Sequence, residues 1–218
     1  MKVKQAVANS VVYLELGILP IEYEVHKRQL SFLHHIIHLD EEDPVRKMWE
    51  YQKRLPNHNN WWNGVEQLLV KYDINLSEED IKNMSKETFK LKIKKIISKF
   101  AFEELKKECR QKEKTKHLCY QEFTTQSYMK SLYPNHSRII FMCRSQTLNI
   151  KEHMKYKFQE DQCCRCGISD ESLQHVVNCG SFDGVIPDVE DIVKEGKDLN
   201  LLTEIAERVE DFLERVEV

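Results

Sequence analysis

The chain has 218 residues and a formal net charge of −3, with 41% hydrophobic and 32% charged residues but only six Gly and five Pro. That length supports one sizeable core or two smaller ones, and the balance excludes disorder throughout and a turn-rich β-sandwich. No apolar run approaches the roughly 20 residues that cross a bilayer, and Met1 is not followed by a basic stretch, an apolar segment and a small-residue cleavage site. The expectation is a soluble intracellular protein, of the cytoplasm or nucleus, without a membrane partner.

Apolar residues from about Val3 to Glu15 recur at helical spacing, and Gly17 and Pro20 supply a stop and a fresh start. In the second helix, Ile21, Val25, Leu30, Leu33, Ile36 and Ile37 form a stripe. His34, His35 and His38 stand at its end, with no cysteine nearby to complete a metal site, so they are expected to cover a helix terminus. A short helix with Val45, Met48 and Trp49 follows the acidic run 40–43, and Pro56-Asn57-His58-Asn59-Asn60 then breaks the chain. Trp61, Trp62, Val65, Leu68, Leu69 and Tyr72 make the next amphipathic helix. Ser77 before Glu78, Glu79 and Asp80 reads as an N-cap with acids in the first turn, where they suit the helix dipole.

The longest periodic segment opens at Ser85 and carries Phe89, Ile93, Ile96, Ile97, Phe100, Leu105 and Cys109 on one side and lysines on the other. It should run to about Gln111. Two shorter helices are expected over Phe123 to Leu132 and Ile139 to Leu148, separated by a turn at Pro134-Asn135-His136-Ser137. Leu202, Ile205, Val209, Phe212, Leu213 and Val216 stripe a C-terminal amphipathic helix. With strand signals nearly absent, the fold class is all-α: an irregular helical body over 1–158, a small CCHC zinc knuckle over 159–182, and an acidic helical tail over 183–218.

Charge is distributed unevenly. Lys82 to Lys116 holds thirteen basic residues against five acids, whereas 183–218 holds four against twelve. Blocks of opposite sign attract once a compact fold brings them within about a Debye length, so the tail is expected to fold back on the basic middle and compete with polyanions there.

Four of the seven cysteines crowd into residues 163–179, and Cys109, Cys119 and Cys143 are scattered. That spread argues for reduced thiols with one local metal site rather than a disulfide framework. The cluster reads Cys163-Cys164-Arg165-Cys166-Gly167, then His175, then Cys179. Zinc takes four tetrahedral N and S ligands, and a two-residue spacer lets two thiolates meet one ion. Cys163, Cys166, His175 and Cys179 are therefore the expected ligands of one structural Zn2+, and Cys164, which would chelate across a single residue, is expected to point away. His175 and Cys179 lie one helical turn apart, so both can face the same point. Four protein ligands leave no open position, and no zinc-deaminase signature is present.

Residues 16–37, opening Leu16-Gly17-Ile18-Leu19-Pro20-Ile21, resemble the segment after the polymerase core in non-LTR (LINE-type) retrotransposon reverse transcriptases. The resemblance continues through the lysine-rich middle, the stretch 144–151 beginning Arg144-Ser145-Gln146-Thr147, the knuckle with Glu171-Ser172-Leu173-Gln174-His175, and the acidic tail around Val189-Glu190-Asp191-Ile192. It implies the C-terminal region of such a protein, which helps hold template RNA or target DNA near a polymerase core, in trans or in a longer chain. The full-length relative would be an RNA-directed DNA polymerase. No Asp-Asp pair flanked by strand-forming residues is present here. Pro187-Asp188 with Glu195-Gly196-Lys197 is too short and too strand-poor for a nuclease centre, so no enzymatic activity is expected.

The functional expectation is a nucleic-acid-binding fragment, with RNA or single-stranded DNA as partner. Its expected phosphate contacts are Lys92, Lys95, Lys99, Arg138, Arg144, Lys151, Lys155 and Lys157, with Arg165 expected to stack on exposed bases; the absence of any aromatic from Cys166 to Cys179 argues against base stacking by that loop. The alternative is a non-enzymatic protein-interaction module in which zinc staples the helical body to its tail.

Overall fold

The computed structural model describes residues 7–55, 59–154, 164, 166–179 and 184–216. Among them are eleven α-helices, one short 3-10 turn and no β-strand, which is the all-α class expected. No helix among the described residues is long and apolar enough to cross a membrane. The chain divides into two compact units, one of Leu19–Glu104 and a larger one of Met1–Ile18 with Leu105–Val218. This division does not follow the expected segments 1–158, 159–182 and 183–218: the helical body belongs to both units, while the described parts of the knuckle and tail share one.

In the smaller unit, α2 (Ile21–Ile37), α3 (Pro44–Arg54), α4 (Trp61–Lys71) and α5 (Glu78–Lys82) precede the long α6 (Lys86–Arg110). The starts of α3, α4 and α5 are set by side chains that satisfy orphan N–H groups. Asp43 accepts from Val45, Asn60 accepts from Asn63, and Ser77 and Asp80 form a reciprocal capping box. Leu30, Leu33, Trp49, Val65, Phe89, Ile93 and Ile97 meet in one core. Two of the three histidines cover a helix terminus as expected, the His34 ring Nε2 lying 3.1 Å from the Met84 carbonyl and His38 Nε2 3.2 Å from the Lys82 carbonyl, whereas His35 is exposed. His34 and His38 both close the chain just where α5 ends.

The larger unit contains α1 (Asn9–Leu16), the end of α6, α7 (Ser127–Ser131), α8 (Pro134–Arg144), a 3-10 turn (Glu152–Met154), α9 (Leu173–Asn178), α10 (Val189–Glu195) and α11 (Leu199–Val216). The expected turn at Pro134 is instead the first turn of α8, because proline at the first helical position has its φ preset and lacks only an N–H that would be orphaned anyway. Gly17 ends α1 at φ +61, and a Cβ there would lie 2.4 Å from Thr124 backbone, so the chain approaches too closely for any other residue. The apolar stripe of α11, with Leu202, Ile205, Ala206 and Val209 fully buried, packs on α8 and α9. Its partners are thus inside its own unit, so the tail docks through this stripe.

Glu15 and Arg144, 0% and 1% exposed at their side chains, form the polar centre of the larger unit. Arg144 Nε donates to Glu15 Oε1 at 2.8 Å, and the hydroxyls of Tyr120 and Tyr128 donate to the same carboxylate at 2.7 and 2.8 Å. Arg144 Nη1 donates to the carbonyls of Val193 and Lys194 at the end of α10, at 2.6 and 2.5 Å. Burial, with the Glu15 charge next, raises both tyrosine hydroxyls well above their ordinary range, so they stay protonated donors. Removing one partner of such a pair strands the other charge. Arg144→Met is expected to lower the unfolding free energy by about 3–5 kcal/mol, measured by urea denaturation; a loss below about 1 kcal/mol would contradict this role for the pair.

Candidate metal centre

The ligand-bearing helix α9 is fixed at both ends by polar side chains. At its start, Ser172 Oγ accepts from the His175 N–H at 3.1 Å and Glu152 Oε2 from the Leu173 N–H at 2.8 Å. Glu171, itself buried, accepts from the Lys151 N–H at 3.0 Å. Further along, Gln174 accepts from the Val189 N–H and donates to the Ile186 carbonyl, and Asn178 exchanges two bonds with the Ile186 backbone. Arg208 of α11, 5% exposed, donates to the carbonyls of Val177 and Gly184. His175 and Cys179 are therefore presented from a braced element, four residues apart on one side.

The opposing loop is tied by its own backbone. The Cys164 N–H donates to the Ser169 carbonyl at 2.7 Å, the Gly167 N–H donates to the Cys164 carbonyl at 2.9 Å, and Gly167 sits at φ +72. This turn brings Cys164 and Cys166 to the same side. The ligand atoms of Cys164, Cys166, His175 and Cys179 all lie within 4.8 Å of one another. Cys164 Sγ is 3.8 Å from Cys179 Sγ, and Cys166 Sγ is 3.2 Å from His175 Nε2. Around an ion held about 2.3 Å from sulfur and about 2.0–2.1 Å from nitrogen, tetrahedral ligand atoms stand about 3.5–3.8 Å apart. The cluster fits that requirement, and its three sulfurs and one imidazole can hold one metal ion.

Cys164 is a correction to the sequence expectation. Its sulfur does not point away; it is buried within the cluster. A one-residue spacer suffices because the Cys164–Gly167 hydrogen bond folds the backbone back on itself. Cys163 lies outside the described residues. The polar supports Glu152, Glu171, Gln174 and Asn178 were not anticipated, although Ser172 three residues before His175 is a recognisable cap.

The four donors are electrostatically unequal. The Ile168 N–H, 3.3 Å from Cys166 Sγ, and then the His175 ring bring the Cys166 thiol down to about 6, so it is largely a thiolate at neutral pH. Burial raises Cys164, and burial followed by its bonds to the neighbouring sulfurs pushes Cys179 up to about 12. A cation placed among them would draw off the remaining protons, since metal ligation requires the thiolate. An ion held by all four protein donors would have no open position for a substrate and would supply cohesion.

The cations expected to touch nucleic acid separate into three groups. Lys92, Lys95 and Lys99 are exposed on α6, and Arg138 is exposed on α8. Lys151 is half-buried, with its backbone N–H committed to Glu171. Arg144 is a second correction: fully committed to Glu15 and to two carbonyls, it has no donor face open to phosphate. Lys155, Lys157 and Arg165 lie outside the described residues.

In comparisons with known proteins, no family model, no curated protein and no solved structure matches the chain. The metal assignment is checked on the full chain reconstituted with one equivalent of Co2+, whose d–d absorption reports tetrahedral thiolate ligation. Cys164→Ser is expected to abolish or strongly weaken that signal, as are substitutions of Cys166 and Cys179; an undiminished spectrum from Cys164→Ser would remove it from the ligand set.

Proposed function

We propose that the chain is a nucleic-acid-binding protein whose larger unit is held together by one structural Zn2+. The observation that carries the first half is the state of the lysines on α6. Lys86, Lys90, Lys92, Lys94, Lys95 and Lys99 are all exposed, and none has an ion-pair partner among the described residues. Six other lysines are paired, Lys27 with Glu24, Lys47 with Glu42, Lys53 with Glu50 and Glu78, Lys71 with Glu22, Lys112 with Glu108 and Lys116 with Glu113, while exposed Lys82, Lys107, Lys130 and Lys197 are scattered and without an ion pair among the described residues. Six unmatched positive charges within fourteen residues suit a polyanion, whose condensed counterions are released on contact. Arg138 adds a further exposed cation in the larger unit.

Zinc is the ion that best suits three sulfur donors and one imidazole in a closed, four-ligand arrangement. The likeness of residues 16–37 and of the Cys/His segment to the C-terminal region of LINE-type reverse transcriptases supports the same reading, with a polymerase core acting in trans or in a longer chain. A second reading has an observation of its own. Ile21, Met48, Tyr51 and Val70 of the smaller unit are 75%, 57%, 59% and 81% exposed, which suits a protein partner.

Salt titration of a labelled oligonucleotide separates the two. Neutralising Lys92, Lys95 and Lys99 together to Gln should lower affinity and flatten the slope of log affinity against log salt by about 2–3, each phosphate contact contributing about 0.7–0.9. The already paired Lys47, Lys112 and Lys116, changed likewise, should leave the slope nearly unchanged. Equal losses from the two triples, or no binding at low salt, would favour the protein-interaction reading.

A further inference from the structure

The disposition of the α6 lysines names the kind of nucleic acid. At about 100° per residue, and counting from Lys86, the core residues Phe89, Ile93 and Ile97 fall within an arc from about 300° through zero to about 20°. They anchor the helix to the smaller unit's core. Over residues 86–99 the opposite side is largely exposed, with Ser98 half-buried, whereas Phe102 and Leu105 farther along that side are buried. Lys90 and Lys94 lie at about 40° and 80°, while Lys95, Lys99 and Lys92 lie at about 180°, 220° and 240°. Between these two rows, at about 140° and 120°, stand Leu91 and Ser98, neither of them charged. Leu91 is 68% exposed, an apolar side chain on the crest of the most basic surface of the helix. From Thr88 to Lys99 there is no acid at all; the nearest in sequence is Glu87, exposed in the first turn.

Resting on the nucleic-acid reading above, we infer that α6 seats in the major groove of duplex DNA, with one lysine row on each bordering backbone and Leu91 facing the base edges. The two rows are separated by nearly a helix diameter, about 10–12 Å with side chains, and the major groove of B-form DNA is about 12 Å wide. A single strand offers one backbone, so it engages one row at a time and leaves the other uncompensated. An RNA duplex has two backbones, but its major groove is deep and too narrow to admit the helix. The uncharged crest is what a groove floor requires: a lysine there would stand away from both phosphate rows, whereas an apolar side chain can meet a thymine methyl. This departs from the RNA or single-stranded DNA partner expected from the sequence.

The test uses the full zinc-loaded chain and three labelled probes of one sequence: a 20-base-pair DNA duplex, its single strand and the corresponding RNA duplex. The expected order is DNA duplex first, tighter than either other probe by about tenfold or more. On the DNA duplex, Lys90→Gln with Lys94→Gln should flatten the salt slope by about 1.8, and the Lys92, Lys95 and Lys99 triple by about 2.7, each phosphate contact contributing about 0.9. The two losses should add when combined. Leu91→Gln should weaken duplex binding without changing the slope, and circular dichroism confirms that each variant keeps its helix content. A single strand bound as tightly as the duplex, or a slope that responds to only one row, would overturn the groove assignment while leaving nucleic-acid binding standing. Absence of binding to all three probes at low salt would remove both.

Discussion

The larger unit is organised around one buried ion pair, Glu15 with Arg144. Taking two charges out of water costs several kcal/mol per ion, and only excellent geometry with every lone pair satisfied offsets that. Here Glu15 accepts from Arg144 and two tyrosine hydroxyls, while the second arm of the guanidinium caps the end of α10. The planar, forked donor set of arginine is what allows one side chain to serve a carboxylate and two carbonyls at once; a lysine could not reproduce it. The pair therefore fixes α1, which comes from the beginning of the chain, against α8 and α10, more than a hundred residues later. Gly196 belongs to the same arrangement: at φ +68 it ends α10, and a Cβ there would lie 2.9 Å from Arg144 Nη1.

From that pair, polar bonds run continuously to the Cys/His cluster. Arg144 holds the last turn of α10, the first residue of α10 donates to Gln174, and Gln174 stands beside His175 on α9. One half of the cluster is thus preformed by the fold. The other half is not comparably supported. In the loop 164–170, Cys164 is buried but Ile168 is 83% exposed, and the described backbone bonds of the loop are mostly internal. A segment with so little apolar burial would gain cohesion chiefly from an ion shared with α9, the situation in which metal affinity becomes folding energy.

Much of this was legible from residue order alone. The 3.6-residue periodicity predicted α2, α4, α6 and α11 to within a few residues, because each buries an apolar stripe and starts after Pro20 or a capping side chain, Asn60, Ser85 or Asp198. The cluster was located, and three of its four sulfur and nitrogen donors named, since a thiol pair followed by a histidine and a thiol one turn apart has few other uses. What escaped was information that the local sequence does not contain. Choosing between Cys163 and Cys164 depends on a backbone turn closed through Ser169 and Gly167, not on ligand count. Arg144 read as a surface cation because its partner, Glu15, is 129 residues away. The division into two units was equally hidden, since α6 continues without a break across the boundary.

The contrast between Arg144 and the α6 lysines gives the charge pattern its physical sense. Both are cations in helices, yet one is saturated by buried acceptors and the others face solvent outside any ion pair among the described residues. Solubility alone does not require this. On α3, Arg46 and Lys53 share Glu50 at 3.4 and 3.0 Å, which keeps a polar surface at no cost in repulsion. On α6, by contrast, Lys86 with Lys90, Lys90 with Lys94 and Lys95 with Lys99 are like charges four residues apart, each pair disfavouring the helix by about 0.2–0.5 kcal/mol. On a helix that the core residues Phe89, Ile93 and Ile97 anchor, this repulsive row is the feature that the proposed polyanion partner would relieve.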